Sequence, residues 1–149
     1  MTPAAGPVLF AYDGSDLAEN AIAEAGRLLS VDRDALVLTI WEPFNVGFLP
    51  VREVDFNAAQ ADEVRKAAEE TAAYGASLAQ AAGFRAQSMA AEAAPTWKGI
   101  VDAADEHNAS LIVLGSHGRS GLTGIVVGSV ASAVAAHSRR SVLIVHRRP

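Results

Sequence analysis

A glycine-rich segment at residues 115–129 holds the residue types best suited to chemistry. It begins Gly115-Ser-His-Gly-Arg and ends Gly128-Ser129. It lies between the apolar, strand-like residues 111–114 and the helix-like residues 130–136. Glycine lets a backbone approach an anion closely, and the unpaired N–H groups at a helix start favour negative charge. The segment therefore predicts a phosphate-binding loop.

Glycine spacing excludes two common kinds of phosphate loop. A Walker A loop needs a lysine after its second glycine, whereas Lys66 and Lys98 lie far from this segment in sequence. The G-x-G-x-x-G dinucleotide fingerprint is absent after the first apolar stretch. What remains is Gly115-x-x-Gly118, a nine-residue gap and then Gly128-Ser129. Spacing alone leaves open a second interpretation, a strand-to-helix turn in which Gly124-x-x-x-Gly128 allows close helix packing.

Four side chains in or opposite this segment each have two interpretations. The Ser129 hydroxyl can cap the following helix or bind a phosphate. Asp13, at the end of the first apolar stretch, can contact a ligand or form an Asx turn. His117 can meet a phosphate or face solvent, and Arg119 can grip phosphate oxygens or lie free at the surface. The remaining histidines lack metal-ligand spacing, so no metal site is predicted.

Composition indicates one α/β domain over residues 1–149. Half of the residues are hydrophobic but only 6% are aromatic, which suits a layered core of small aliphatic side chains. The absence of cysteine excludes disulfides and thiol catalysis. A net charge of -5 argues against a general nucleic-acid surface. No leader pattern and no apolar run near the roughly 18 residues of a membrane span is present, so we expect a cytoplasmic protein without membrane contact.

Strand-like and helix-like segments alternate along the chain. Strands are predicted at residues 7–12, 34–41, 84–90, 110–114 and 141–146. Helices are predicted after Ser15 or Asp16, over 58–82, from Pro95-Thr96 and from Val130, with a long loop over residues 43–57. This alternation predicts a parallel sheet covered on both faces, with a ligand site beyond the carboxyl ends of its strands. The arginine pairs at 139–140 and 147–148 are predicted to be solvated surface.

Three motifs together resemble the universal stress protein family, specifically its nucleotide-binding branch. They are the run from Gly115 through Val127-Gly-Ser-Val-Ala, the terminal Val142-Leu-Ile-Val, and the opening Val8-Leu-Phe-Ala-Tyr-Asp-Gly-Ser. The resemblance covers essentially the whole chain. It implies a single Rossmann-like domain with a five-stranded parallel sheet in the order 3-2-1-4-5. It also implies a homodimer that pairs through the last strand, Val142 to Val145.

The same resemblance implies a ligand, ATP or another adenine nucleotide, with Mg²⁺ as a possible companion. Asp13 would contact the adenosine or the metal, and the backbone of Ile40 would read adenine. The other implied binding residues belong to the glycine segment and the helix start: Gly115, Ser116, His117, Gly118, Arg119, Gly128, Ser129 and Val130. Two departures from the family pattern are Ser141 in place of a proline and Ala94-Pro95 in place of a glycine. Neither removes an implied phosphate contact.

Three functions fit these observations. The leading one is a stress-response protein whose nucleotide occupancy regulates a dimer that binds partner proteins. A slow ATPase or phosphotransferase using Asp13, His117 and Mg²⁺ is the second, and a dimeric interaction module without nucleotide is the third. Phosphoryl transfer needs a cradle lysine, Mg²⁺ carboxylates and a positioned base, of which only Asp13 is identifiable. The sequence therefore favours holding a nucleotide over hydrolysing it.

Overall fold

A computed structural model describes residues 6–29, 32–42, 58–117 and 127–147 of the chain. The predicted loop at 43–57 and the site residues Gly118 and Arg119 lie outside the described residues. Strands and helices alternate within the described ranges, as predicted. The elements are β1 (Val8–Ala11), α1 (Asp16–Leu28), β2 (Asp34–Trp41), α2 (Ala58–Ala81), β3 (Arg85–Glu92), α3 (Thr96–Glu106), β4 (Leu111–Gly115), α4 (Ser129–His137) and β5 (Ser141–Val145).

The five strands form one parallel sheet in the order β3-β2-β1-β4-β5, which confirms the predicted order. The central strand, β1, is the shortest, and Val8 lies opposite Ala35 on one side and Leu111 on the other. β3 continues to Glu92, two residues past the predicted end, because it pairs with β2 as far as Trp41. Since β2 extends further than β1, the carboxyl edge of the sheet has a step between these strands.

Helices cover both faces of the sheet. α1 and α2 pack on one face around Phe10 and Ile22, and α3 and α4 pack on the other around Leu9 and Ile112. No helix within the described ranges is both long and apolar enough to cross a membrane.

The buried face of α2 only partly matches the stripe that helical spacing predicts, which is Val64, Ala68, Thr71, Gly75 and Leu78. Ala68 and Gly75 are buried as predicted. The fully buried positions are Ala72 and Ala79, whereas Val64 is 37% exposed. Small side chains let the helix lie close to the sheet, and a Cβ on Gly75 would come within 2.7 Å of the Tyr12 ring. Val64 instead lines the cleft described below, because the first turns of α2 extend beyond the carboxyl edge of the sheet.

Arg140 joins the start of β5 to the end of α3, which corrects its prediction as solvated surface. Its guanidinium donates to the Asp105 carboxylate at 3.1 Å, the Asn108 side chain at 3.1 Å and the Ala109 carbonyl at 2.9 Å. These donors hold the polar groups at the end of the helix, where backbone carbonyls lack helical partners. Arg140 therefore serves the fold.

We expect Arg140→Ala to lower the free energy of unfolding by about 1 to 3 kcal/mol, because three charge-assisted hydrogen bonds are lost together. The neighbouring Arg139 is exposed and offers a matched control, Arg139→Ala. Urea unfolding of both variants measures the difference. Equal stability of the two variants would show that the Arg140 contacts contribute nothing.

Candidate functional site

A cavity of about 720 Å³ lies at the carboxyl ends of β2, β1 and β4, between the first turns of α2 and α4. Its volume falls within the range of small-molecule sites. Among the residues predicted for the site, the following line it: Asp13, Ile40, Gly115, Ser116, His117, Gly128, Ser129 and Val130. The fold therefore brings together every predicted site residue that the structure describes.

Close backbone contact at one end of the cavity joins the two halves of the glycine motif. The N–H of Gly128 donates to the Ser116 carbonyl at 2.7 Å. A Cβ on Gly128 would lie 2.9 Å from that carbonyl oxygen and 3.2 Å from Nδ1 of His117. Because real Cβ atoms essentially never come within 3.0 Å of another heavy atom, this position requires glycine.

Gly115 has a different reason to be glycine. A Cβ there would meet the backbone and side chain of Leu17 in α1 at 3.1 Å. The glycine therefore allows the end of β4 to pack against the start of α1, and it also lines the cavity.

The first turn of α4 opens onto the cavity. The helix begins at Ser129, one residue before the predicted Val130. Gly128 occupies the N-cap position, so the interpretation of Ser129 as the cap is wrong. No described side chain caps this turn, and the turn contains no acidic residue. Unpaired N–H groups and the helix dipole give such a turn a partial positive charge. Gly128, Ser129 and Val130 place this charge at the cavity wall.

His117 is buried beside this turn, with 8% of its surface exposed, so the solvent-facing interpretation is wrong. Its Nε2 atom is buried and has no hydrogen-bond partner among the described residues. Leaving a buried polar atom unpaired costs about 1 to 3 kcal/mol. A ligand with hydrogen-bonding groups at this end of the cavity would remove that cost.

The middle of the cavity is formed by the end of β1. The Asp13 carboxylate accepts from the Ser15 N–H at 3.0 Å, which is the Asx turn considered above, and Asp13 also lines the cavity. Ser15 in turn caps α1 by accepting from the Ala18 N–H at 3.2 Å. Asp13 is thus held by the turn that starts α1 and still contributes to the cavity wall.

Tyr12 forms an apolar wall beneath this point. Its side chain is 3% exposed, and its hydroxyl donates to Glu19 at 3.2 Å. Burial, reinforced by the negative charge of Glu19, raises the pKa of Tyr12 above its usual range. The Tyr12 phenol is therefore neutral at physiological pH.

The step between β1 and β2 exposes backbone at the other end of the cavity. Leu38 lies opposite Ala11, and its carbonyl accepts from the Tyr12 N–H at 2.9 Å. Alternate residues of a parallel strand direct their peptide groups to the same side, so Ile40 points its N–H and C=O past the end of β1. Neither group has a backbone partner among the described residues. Ile40 therefore offers one donor and one acceptor to the cavity.

Other cavity residues were missed by sequence reasoning. Glu42 and Thr96 line the wall near Ile40, and Glu42 accepts from both the N–H and the hydroxyl of Thr96. Their sequence positions could have indicated this, since Glu42 directly follows the second strand and Thr96 starts the helix after the third. The wall formed by α2 carried no such signal; it includes Val64, Ala67, Ala68 and Thr71. In the described part of the chain, no group of three or more histidine or acidic residues is placed to hold a metal ion.

Residues 5–146 match the family model of the universal stress protein family. Universal stress protein Rv2005c of Mycobacterium tuberculosis is 33% identical over 150 residues, which cover 98% of this chain and 47% of that protein. The chain thus spans about half the length of the curated relatives it matches.

Solved structures share the fold. Hypothetical protein MJ0577 has a TM-score of 0.78 at 22% identity, over 97% of each chain. A universal stress protein in complex with cAMP has a TM-score of 0.68 at 28% identity, over 98% of this chain and 100% of the other. The Archaeoglobus fulgidus universal stress protein in complex with dAMP has a TM-score of 0.57 at 26% identity, over 93% of this chain and 96% of the other.

Proposed function

The chain belongs to the universal stress protein family, and we propose that it binds an adenine nucleotide, ATP or a close relative, in the cavity at the carboxyl ends of β2, β1 and β4. The observation that carries the proposal is the order of chemical groups along this cavity. Ile40 presents a backbone donor and acceptor at β2, Asp13 presents a carboxylate at β1, and the uncapped turn of α4 stands beyond β4. A nucleotide carries base, ribose and phosphate in the same order.

Distances within a sheet support this match. Neighbouring strands lie about 4.8 Å apart, so the ends of β2 and β4 are separated by about 10 Å across β1. That separation suits a nucleoside whose base and 5′-phosphate occupy opposite ends of the cavity.

The residues present fit the phosphate chemistry. Nε2 of buried His117 has no partner in the described ranges of the chain. Together with the first-turn N–H groups of α4, it would give phosphate oxygens hydrogen-bond donors in a region that Gly128 keeps free of side chain. Gly118 and Arg119 belong to the same proposal through the family motif. Asp13 is the carboxylate that would contact the ribose or an accompanying Mg²⁺.

Two solved relatives with bound nucleotides favour adenine as the base of the ligand. One is a universal stress protein in complex with cAMP, and the other is the Archaeoglobus fulgidus protein in complex with dAMP. Both ligands combine an adenine base with a single phosphate group. This shared chemistry favours an adenine nucleotide over other phosphate compounds for the present chain.

The proposed role is regulation of a cytoplasmic stress-response dimer. β5 is the last strand of the sheet, so one of its edges has no neighbouring strand within the described chain. Val142, Leu143 and Ile144 on this strand are only half-buried. Pairing of two β5 strands would cover these side chains. The Ser116 N–H, at the end of β4, donates to the Val145 carbonyl on β5, and this hydrogen bond would couple nucleotide binding to the dimer surface.

Calorimetric titration of the purified protein tests nucleotide binding. We expect ATP, AMP or cAMP to bind at one site per chain with a Kd below about 1 mM, equivalent to more than about 4 kcal/mol. Mass spectrometry of small molecules released on denaturation checks for nucleotide retained through purification. Absence of any bound or titratable adenine nucleotide would contradict the proposal.

A further inference from the structure

We propose that Glu42 selects the base of the nucleotide, accepting a hydrogen bond from the 6-amino group of adenine and disfavouring purines with a 6-oxo group. This inference rests on the proposed function and adds a side chain that reads the base. Glu42 follows the last residue of β2 and lines the cavity beside Ile40. It is therefore placed at the end of the cavity opposite the turn of α4.

Glu42 is held in place through one of its two carboxylate oxygens. Oε1 accepts from the Thr96 N–H at 3.0 Å and from the Thr96 hydroxyl at 2.8 Å. An ionised carboxylate oxygen has about two acceptor positions, so these bonds saturate Oε1. Oε2 accepts no hydrogen bond from the described residues. The carboxylate thus presents one fixed acceptor that has no partner within the described part of the chain.

Capping α3 does not account for this arrangement by itself. Thr96 is the first residue of α3, and the preceding Pro95 makes no side-chain cap bond, so Glu42 supplies the missing acceptor. One oxygen is enough to accept both bonds from Thr96, and the negative charge of Glu42 also suits the start of α3 because of the helix dipole. Capping does not use the second oxygen, which remains for another group in the cavity.

Adenine is complementary to this end of the cavity. Its N1 accepts and its 6-amino group donates, which matches the N–H and C=O of Ile40. The amino group has a second hydrogen, and Oε2 of Glu42 is an acceptor for it. A 6-oxo purine would place lone pairs against both the Ile40 carbonyl and the Glu42 carboxylate. Paired recognition of guanine N1–H and 2-amino groups needs two free carboxylate oxygens, and Glu42 has only one.

The test compares ATP with ITP, which carries a 6-oxo group in place of the amino group, in wild type and Glu42→Gln. The glutamine oxygen keeps the bonds from Thr96, while its NH₂ replaces the free acceptor with a donor. We expect calorimetry to show that wild type prefers ATP and that Glu42→Gln reduces the ratio of the two affinities at least about tenfold. Glu92→Gln is the matched control, since Glu92 is exposed, outside the cavity, and opposite Trp41 on the neighbouring strand.

The outcomes separate this inference from the proposed function. A reduced ratio in Glu42→Gln, with the wild-type ratio kept in Glu92→Gln, supports the role of Glu42. If wild type binds ATP but Glu42→Gln keeps the wild-type ratio, Glu42 only caps α3 and the inference is overturned while nucleotide binding stands. If wild type binds neither nucleotide, the proposed function itself is overturned.

Discussion

Gly128→Ala is expected to weaken ATP binding at least about 30-fold, equivalent to about 2 kcal/mol. The new Cβ would lie 2.9 Å from the Ser116 carbonyl oxygen and 3.2 Å from Nδ1 of His117. Because the first of these atoms is backbone, either the start of α4 or the end of β4 must move. Movement of either one separates the first turn of α4 from the His117 ring. Calorimetry with ATP measures the loss.

Loss of stability alone must be distinguished from loss of the site. Gly26→Ala provides the control, since its Cβ would also lie 2.9 Å from a backbone carbonyl oxygen, that of Ala82. Gly26 lies in the contact between α1 and the end of α2, away from the cavity. Both variants should lose about 1 to 3 kcal/mol of unfolding free energy. Unchanged ATP affinity in Gly128→Ala, or an equal loss of affinity in Gly26→Ala, would contradict the assignment of Gly128 to the phosphate end.

Replacing His117 by asparagine or glutamine is expected to identify the ring nitrogen that holds the phosphates. Asparagine places an amide atom near the position of Nδ1 but cannot reach that of Nε2, which glutamine can reach. Nε2 is the buried nitrogen that lacks a partner among the described residues. His117→Asn should therefore lower ATP affinity about tenfold or more, whereas His117→Gln should keep most of it.

Adenosine serves as the control ligand for these two variants because it has no phosphate. Both variants should bind it as wild type does if the histidine acts only on the phosphates. Equal ATP affinities for the asparagine and glutamine variants would show that Nε2 is not the binding atom. A matching loss for adenosine would place His117 at the base or ribose instead.

The alternation of strands and helices was predictable from local patterns, whereas the order of the strands was predicted from the family resemblance. Apolar runs such as residues 34–41 define buried strands, and the prediction for β2 was confirmed residue for residue. Convergence of Asp13 and the glycine motif was also predictable, since both follow strands whose carboxyl ends share one edge of a parallel sheet. The strand boundaries and this convergence needed only sequence order and the period of each element.

What escaped prediction depends on packing between distant segments. Val64 has an apolar side chain at helical spacing, but the alanine face of α2 packs more closely and leaves Val64 at the cavity. His117 was ambiguous because its burial depends on how Gly128 approaches Ser116. Arg140 finds its partners at the end of α3, more than 30 residues earlier in the chain. None of these contacts has a local signature.

Glu42 shows how a functional candidate can remain unnoticed in a correct topology. It directly follows β2 at the carboxyl edge, where the general rule for α/β sheets places ligands. Its significance depends on Thr96, 54 residues away, which donates two hydrogen bonds to Oε1 of Glu42 and none to Oε2. A sequence position alone does not show which atoms of a side chain remain available.

A crystal structure of the protein with ATP is the most direct test of nucleotide binding in this cavity. We expect adenine within hydrogen-bond distance of the Ile40 backbone, ribose beside Asp13, and phosphate oxygens on the first-turn N–H groups of α4 and on Nε2 of His117. ATP bound elsewhere on the molecule, or bound in this cavity with its phosphates at Glu42 and its base at Gly128, would contradict the account.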